Sequence, residues 1–244
     1  MTREELLKKA KYIQFPYFNK EYIDYNIPSN EITKLPIIPN ENNVLYDGLK
    51  ENSHHYTTFY HIHYVLPCLS KIFNLNFNLD DFILVKNLHK QDGKIFDLSY
   101  LAPKNVFSYT VECLERNIIL NNVKFDKLVN NKEKSYLKTP YHLLCIAHHE
   151  PCIITNNTLN NNRNLFISGD SQMIPSILPL TNYYKQIFYM DNRTGLSKDK
   201  NGKIYLERKK TKSFFKTYEN ILFDDVLVEL YANKLENYTV INLI

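Results

Sequence analysis

Ser171 closes a Ser168-Gly169-Asp170-Ser171 turn that separates two apolar runs. A serine hydroxyl becomes a nucleophile when a base takes its proton and N–H donors meet the oxyanion that forms. In an open α/β sheet such sites lie beyond the carboxyl ends of the strands, where helix N-termini present backbone N–H groups. The residues around Ser171 fit that plan. LFIS (165–168) reads as a strand, Gly169-Asp170 as the turn and SQMIPSIL (171–178) as a helix. Gly169 relieves the tight turn, Asp170 can bond neighbouring backbone N–H groups, and the Ser171 N–H could face an oxyanion. The other role open to Ser171 is architectural, because Ser and Asp are favoured helix N-caps.

The candidate bases are histidines. There are eight, and most fall in three groups: His54/His55, His61/His63 and His142/His148/His149. His61 and His63 stand in an alternating aromatic stretch that reads as a strand end or loop feeding a helix through Val65, Leu66, Leu69 and Ile72. A His-x-His pair on a strand puts both rings on one face, an arrangement that also suits a metal ion. HHEPC (148–152) adds a glutamate and a thiol, but no HExxH-type motif joins these groups, and no metal site is expected. His149 and His142 remain alternatives as base. The four cysteines show no CxxC spacing, and the apolar settings of Cys68 and Cys113 suggest buried thiols in a reducing compartment, although an even count leaves a disulfide open. With five glycines and no GxGxxG or Walker pattern, a nucleotide-binding domain is disfavoured.

These residues need a scaffold, and 244 residues with 44% hydrophobic and 14% aromatic content supply one. The +4 net charge comes from scattered lysines; ERKKTK (207–212) is the densest basic run and reads as a solvated turn, so no nucleic-acid partner is expected. No window approaches the roughly 20 apolar residues of a membrane span, and the charged start MTREELLKKAKYIQF has no secretory core. The expected location is cytoplasmic as the chain stands, or periplasmic for a processed form.

A helix is expected over 2–12, then an extended arm rich in Pro and Asn to about residue 48. LDDFILV (79–85) fits a strand or a short helix, whereas 108–119 and 125–131 read as helical. Residues 150–170 read as strand, Asn-rich turn and strand; QIFYMDNR (186–193) and FDDVLVELYANKL (223–235) supply further buried strands, with a turn and inserted segment over 201–221. Strand–helix–strand units with continuous apolar strands imply a mostly parallel sheet covered on both faces. One domain is expected over 1–244, with residues 1–50 as N-terminal helix and arm and 53–238 as the core.

FISGDSQMIP (166–175) resembles the first sequence block of the SGNH (GDS-type) hydrolase superfamily, whose Gly-Asp-Ser serine is the nucleophile. YTTFYHIHYVLPCLSKIFNL (56–75) resembles the DHHW segment of the alginate O-acetylation branch, in which an Asp-x-His pair precedes the serine. GKIFDLSYLA (93–102), YYKQIFYMDNR and FDDVLVELYANKL are similar to later segments of that branch. The resemblance implies a three-layer, flavodoxin-like α/β fold. It makes Ser171 the nucleophile and His63 the general base, and puts the family Asp on His61 and the family Trp on Tyr64. Histidine cannot supply the negative charge that orients an imidazolium, so Asp80, Asp81 or Asp97 would have to do so, or the dyad is weakened. Asp170 would hold the turn, and Gly169, Gln172, Asn192 and Arg193 are the oxyanion or substrate candidates.

The function this implies is serine-dependent O-acyl (acetyl) transfer to a surface polysaccharide or its precursor, or the esterase reaction. No cofactor is implied beyond an acyl donor such as an acetylated carrier. The partners implied are a carbohydrate substrate and proteins of polysaccharide biosynthesis. The 19 tyrosines and many asparagines would suit a saccharide cleft. The alternative is a non-catalytic carbohydrate-binding or assembly subunit of the same fold, which the His61 departure favours.

Overall fold

The apolar runs at 165–168, 187–190 and 226–228 become three adjacent parallel strands at the centre of a sheet. The architecture is that of a computed structural model. It describes residues 2–16, 22, 28–38, 56, 58–85, 88–91, 94–97, 100–104, 109–113, 118–123, 151–170, 172–191, 196–198, 204–206 and 220–230. Helix α1 (Arg3–Lys9) is followed by strands β1 (Ala10–Gln14) and β2 (Ile32–Lys34). A continuous helix, α2, runs through Thr58–Tyr60, His61–Val65 and Leu66–Phe73. Strands β3 (Phe82–Val85), β4 (Leu88–Gln91), β5 (Lys94–Asp97), β6 (Tyr100–Pro103), β7 (Tyr109–Cys113), β8 (Ile118–Val123), β9 (Cys152–Asn156) and β10 (Asn164–Gly169) come next. Helix α3 (Ile174–Leu180), β11 (Gln186–Asp191), β12 (Leu196–Lys198), β13 (Ile204–Leu206) and β14 (Asp225–Leu230) complete the order.

Among the described residues the main sheet has eight strands in the order β2-β1-β14-β10-β11-β9-β7-β8. The first five are mutually parallel; β9 and β8 alone run against the rest. The expected mostly parallel α/β sheet is therefore present. Successive residues alternate between its faces, and both faces are apolar, which is why the strands read as unbroken hydrophobic runs. Ile13, Ile167, Ile187 and Leu227 pack with Val65 and Leu69 of α2 and Ile177 and Leu178 of α3. On the other face Tyr12, Phe166, Phe188, Val226 and Val228 pack with Leu6 of α1 and Phe223. The result is helix, sheet, helix.

The structure differs from expectation at several places. Within 108–119 the described residues belong to the antiparallel pair β7–β8 rather than to a helix. Tyr109 and Val111 are buried while Thr110 and Glu112 are only half-buried, a period of two that sheet pairing with β9 reinforces. The N-terminal helix stops at Lys9, because Tyr12 and Ile13 pair with Val228 and Glu229 of β14. The strands expected over 150–170 both form, but β11 lies between them. LDDFILV becomes a 3-10 turn, Leu79–Asp81, and then β3. Within 201–221, β13 forms a ribbon with β12. Residues 125–131 and 207–212 lie outside the described residues. Cys68 is half-buried and Cys152 buried, both as free thiols, and burial pushes the Cys68 thiol up to about 11. Among the described residues no helix is long and apolar enough to cross a membrane.

At the amino-terminal end of the central strands Asp225 accepts from Arg163 at 2.6 Å and from the Tyr184 hydroxyl at 2.7 Å. Tyr184 is fully buried, and Arg163 lies over its ring, 4.9 Å from the centroid. Tyr184→Phe removes one hydrogen bond to a charged group and leaves the ring in place. It is expected to cost about 1.5 kcal/mol, read as a fall of roughly 3–6 °C in Tm.

Candidate active site

The carboxyl ends of β1, β14 and β10 lie side by side, and their last residues build the candidate site. β1 leads to β2 on one side and β10 to β11 on the other. The crevice beyond β14, between them, is thus where the strand order reverses, the usual ligand position in an open α/β sheet.

Glu229 is the residue sequence reasoning missed. It occupies the β14 position one step beyond Leu227 on the face covered by α2 and α3, and it is 0% exposed. Its Oε2 accepts the Asp170 N–H at 2.6 Å. Gly169 makes that approach achievable: a Cβ there would stand 2.8 Å from Glu229 Oε2 and 2.9 Å from Met173 Cγ. The turn is closed by further bonds. Asp170 Oδ1 accepts the Gln172 N–H at 2.7 Å, and the Asp170 carbonyl accepts the Met173 N–H at 3.1 Å and the Tyr189 hydroxyl at 3.0 Å. Asp170 thus bonds a backbone N–H within its own turn. The backbone donors of Asp170, Gln172 and Met173 are all engaged within this structure, so Gln172 does not offer its N–H to a substrate. Its side-chain Oε1 instead accepts the Tyr56 N–H at 3.1 Å, tying the turn to the segment that leads into α2.

The N-cap of α3 is Met173, and Ile174 is its first helical residue. Met173 is itself in helical conformation and makes no side-chain cap bond. Ser171 itself lies outside the described residues, as do Asn192, Arg193, His142 and His149.

His61 and His63 do not share a face, contrary to the strand reading. They lie on a helix, where residues two apart point in nearly opposite directions. His61 is 1% exposed and its Nδ1 is 2.7 Å from Ser176 Oγ on α3. The Phe15 ring packs 5.8 Å away, and Tyr56 and Tyr60 are anchored beside it by hydroxyl bonds to the Pro16 and Pro36 carbonyls at 2.5 and 2.8 Å. His63 is exposed, its ring centroid 4.1 Å from that of Phe59, itself exposed, with the two rings tilted by 45°. The helix widens to a π-type turn at this point, with the Leu66 N–H bonded to the His61 carbonyl. Pro67 supplies the reason, since it has no N–H for the His63 carbonyl and its ring would crowd that oxygen. Such turns are frequent at functional sites. Of the carboxylates considered for support, Asp80 is exposed and Asp81 half-buried, in the turn beyond the far end of α2. Asp97 is on β5.

No protein-family model matches the chain, and no curated protein sequence does. Solved structures do. PatB1 of Bacillus cereus, with a sulfonyl adduct, superposes at a TM-score of 0.56 with 14% identity over 97% of this chain and 86% of its own. A second structure of Bacillus cereus PatB1 gives the same score and identity, over 97% of this chain and 87% of its own. A DHHW family protein from Eubacterium siraeum gives 0.53 and 11%, over 94% of this chain and 80% of its own. The chain shares the PatB1 and DHHW fold. At this identity the PatB1 likeness carries the architecture, while the parts played by individual side chains rest on this chain's own geometry.

Proposed function

We propose that the protein is an acyltransferase or esterase that works through Ser171 on the hydroxyl groups of a carbohydrate, O-acetylation of a polysaccharide or its precursor being the favoured reaction. The observation that carries this reading is the built turn at 169–173. A buried glutamate holds the Asp170 N–H and an aspartate holds the Gln172 N–H, so the backbone is fixed on either side of Ser171, and Gly169 admits the glutamate. The fold-level likeness to PatB1 and a DHHW protein supports it. So does the sulfonyl adduct named for PatB1, since such adducts arise when a nucleophile displaces the leaving group of a sulfonyl reagent.

In this reading His61, rather than His63, is the general base, because it is the histidine buried against α3. Nε2 takes the Ser171 proton as Oγ bonds to the acyl carbon. The tetrahedral oxyanion is met by the Ser171 N–H, and the proton passes to the departing oxygen of the donor. A sugar hydroxyl, or water in the esterase reaction, then attacks the acyl-serine by the reverse sequence. A second reading, a carbohydrate-binding or assembly subunit, is favoured by one fact: among the described residues the Nδ1 contact of His61 is to a hydroxyl.

Covalent labelling separates the two. Wild type and Ser171→Ala are treated with a fluorophosphonate or an activated acetyl ester and weighed intact. One adduct on wild type and none on the variant is expected. A folded wild-type chain that takes up no label would turn the assignment to the binding subunit.

A further inference from the structure

The ordinary partner of a catalytic histidine is a carboxylate, which fixes the ring tautomer and stabilises the imidazolium. Here the contact made by Nδ1 of His61 is to Ser176 Oγ, at 2.7 Å, with His61 1% and Ser176 0% exposed. Ser176 stands in the first turn of α3, the helix that begins three residues after Ser171. We propose that Ser176 is a positioning residue: its hydroxyl accepts the Nδ1–H of His61 and so holds the ring with Nε2 unprotonated, in the tautomer that can take a proton from Ser171. This rests on the acyl-transfer reading above and adds to it a Ser–His–Ser arrangement in place of Ser–His–Asp.

The direction of the bond follows from the reading it rests on, since a base must present an unprotonated Nε2, and two features fix where the ring points. The two ring nitrogens lie on opposite sides of the imidazole, so a bond from Nδ1 to α3 directs Nε2 away from that helix. The ring also has little freedom to turn, with Phe15 5.8 Å and Tyr60 6.5 Å away and Tyr60 anchored to the Pro36 carbonyl. A hydroxyl orients the ring without adding negative charge. The family aspartate position, filled here by His61 itself, is then not a lost catalytic group but the site of a relocated base whose orienting partner comes from α3.

The test uses the full chain and Ser176→Ala, a small truncation on a buried helix face, with thermal melts to establish that both are folded. Fluorophosphonate inactivation over a concentration series gives the maximal rate and the half-saturating concentration separately. The maximal rate is expected to fall at least tenfold in Ser176→Ala, with the half-saturating concentration unchanged within twofold. Nitrogen-15 spectra of histidine-labelled protein, with His61 assigned by comparison with His61→Gln, provide the second readout. Wild type is expected to show one protonated Nδ1 and one unprotonated Nε2, and Ser176→Ala a mixture of tautomers. Equal labelling rates in the two proteins, or an unprotonated Nδ1 in wild type, would overturn the role of Ser176 alone. A wild type that shows the fixed tautomer but never labels would leave Ser176 holding His61 and overturn the acyl-transfer reading instead.

Discussion

His61→Ala is expected to slow acylation of Ser171 by about a thousandfold, within the range that a positioned general base contributes, while His63→Ala changes it by no more than about twofold. The difference arises from helix geometry. Two residues apart on α2, one ring is turned into the contact with α3 and the other into solvent against Phe59. A base must reach the proton it removes, and reach comes before basicity. His61 is packed among Phe15, Tyr60 and Ser176, so truncation to alanine also leaves a cavity. His61→Gln controls for this, since glutamine fills most of the space and cannot take a proton at neutral pH. It should lose activity as fully as alanine does while melting closer to wild type. The measurement is the maximal rate of fluorophosphonate labelling, with intact mass confirming the adduct. A large loss in His63→Ala with His61→Gln near wild type would return the base to His63.

The same geometry explains what the sequence could and could not reveal. Strands β10, β11 and β14 were legible because both faces of the sheet are covered, so no alternation was needed to recognise them. β1 was not, because Lys8, Lys9, Ala10 and Lys11 all favour a helix and the pairing that makes Ala10–Gln14 a strand comes from β14, more than 200 residues away. The pair β7–β8 was hidden in a similar way. Glu112, Leu114, Glu115 and Arg116 have helical propensities, and their weight in the reading masked the period-two burial of Tyr109 and Val111.

For the candidate site, the turn could be read and its supports could not. Gly169 and Asp170 announce a turn by residue type alone. Glu229 stands in an otherwise apolar strand, and one acidic residue in VLVELY carries no local sign that it is fully buried. A signal did exist: its parity places it with Leu227 on the face that α2 and α3 cover, and an acidic group on a covered face needs a donor. Ser176 gave less warning, since serine is common in helices and its partner lies 115 positions earlier. The assignment of His61 and His63 turned on whether the aromatic stretch was strand or helix, a choice that tertiary packing makes.

The turn's tolerances lead to the other large effect. Gly169→Ala is expected to destabilise the protein by about 3 kcal/mol, the sum of overpacking and of weakening a hydrogen bond to a carboxylate, and so to lower Tm by roughly 6–12 °C. The new Cβ would meet Glu229 Oε2 at 2.8 Å and Met173 Cγ at 2.9 Å. Met173 can give way through its flexible side chain. Glu229 cannot move without releasing the Asp170 N–H that Oε2 holds at 2.6 Å. Labelling of Ser171 should fall with stability, because the displaced carboxylate frees the backbone on which Ser171 sits. If the damage runs through Glu229, then Gly169→Ala and Glu229→Ala must be coupled: once the carboxylate is gone, the added methyl has less to strike. The double variant is expected to be more stable than the sum of the singles predicts by about 1–2 kcal/mol, as for residues in direct contact. Chemical denaturation of the four proteins measures this. Additivity within about 0.5 kcal/mol, the behaviour of independent sites, would show instead that the methyl acts through Met173 and that Glu229 is not what fixes the turn.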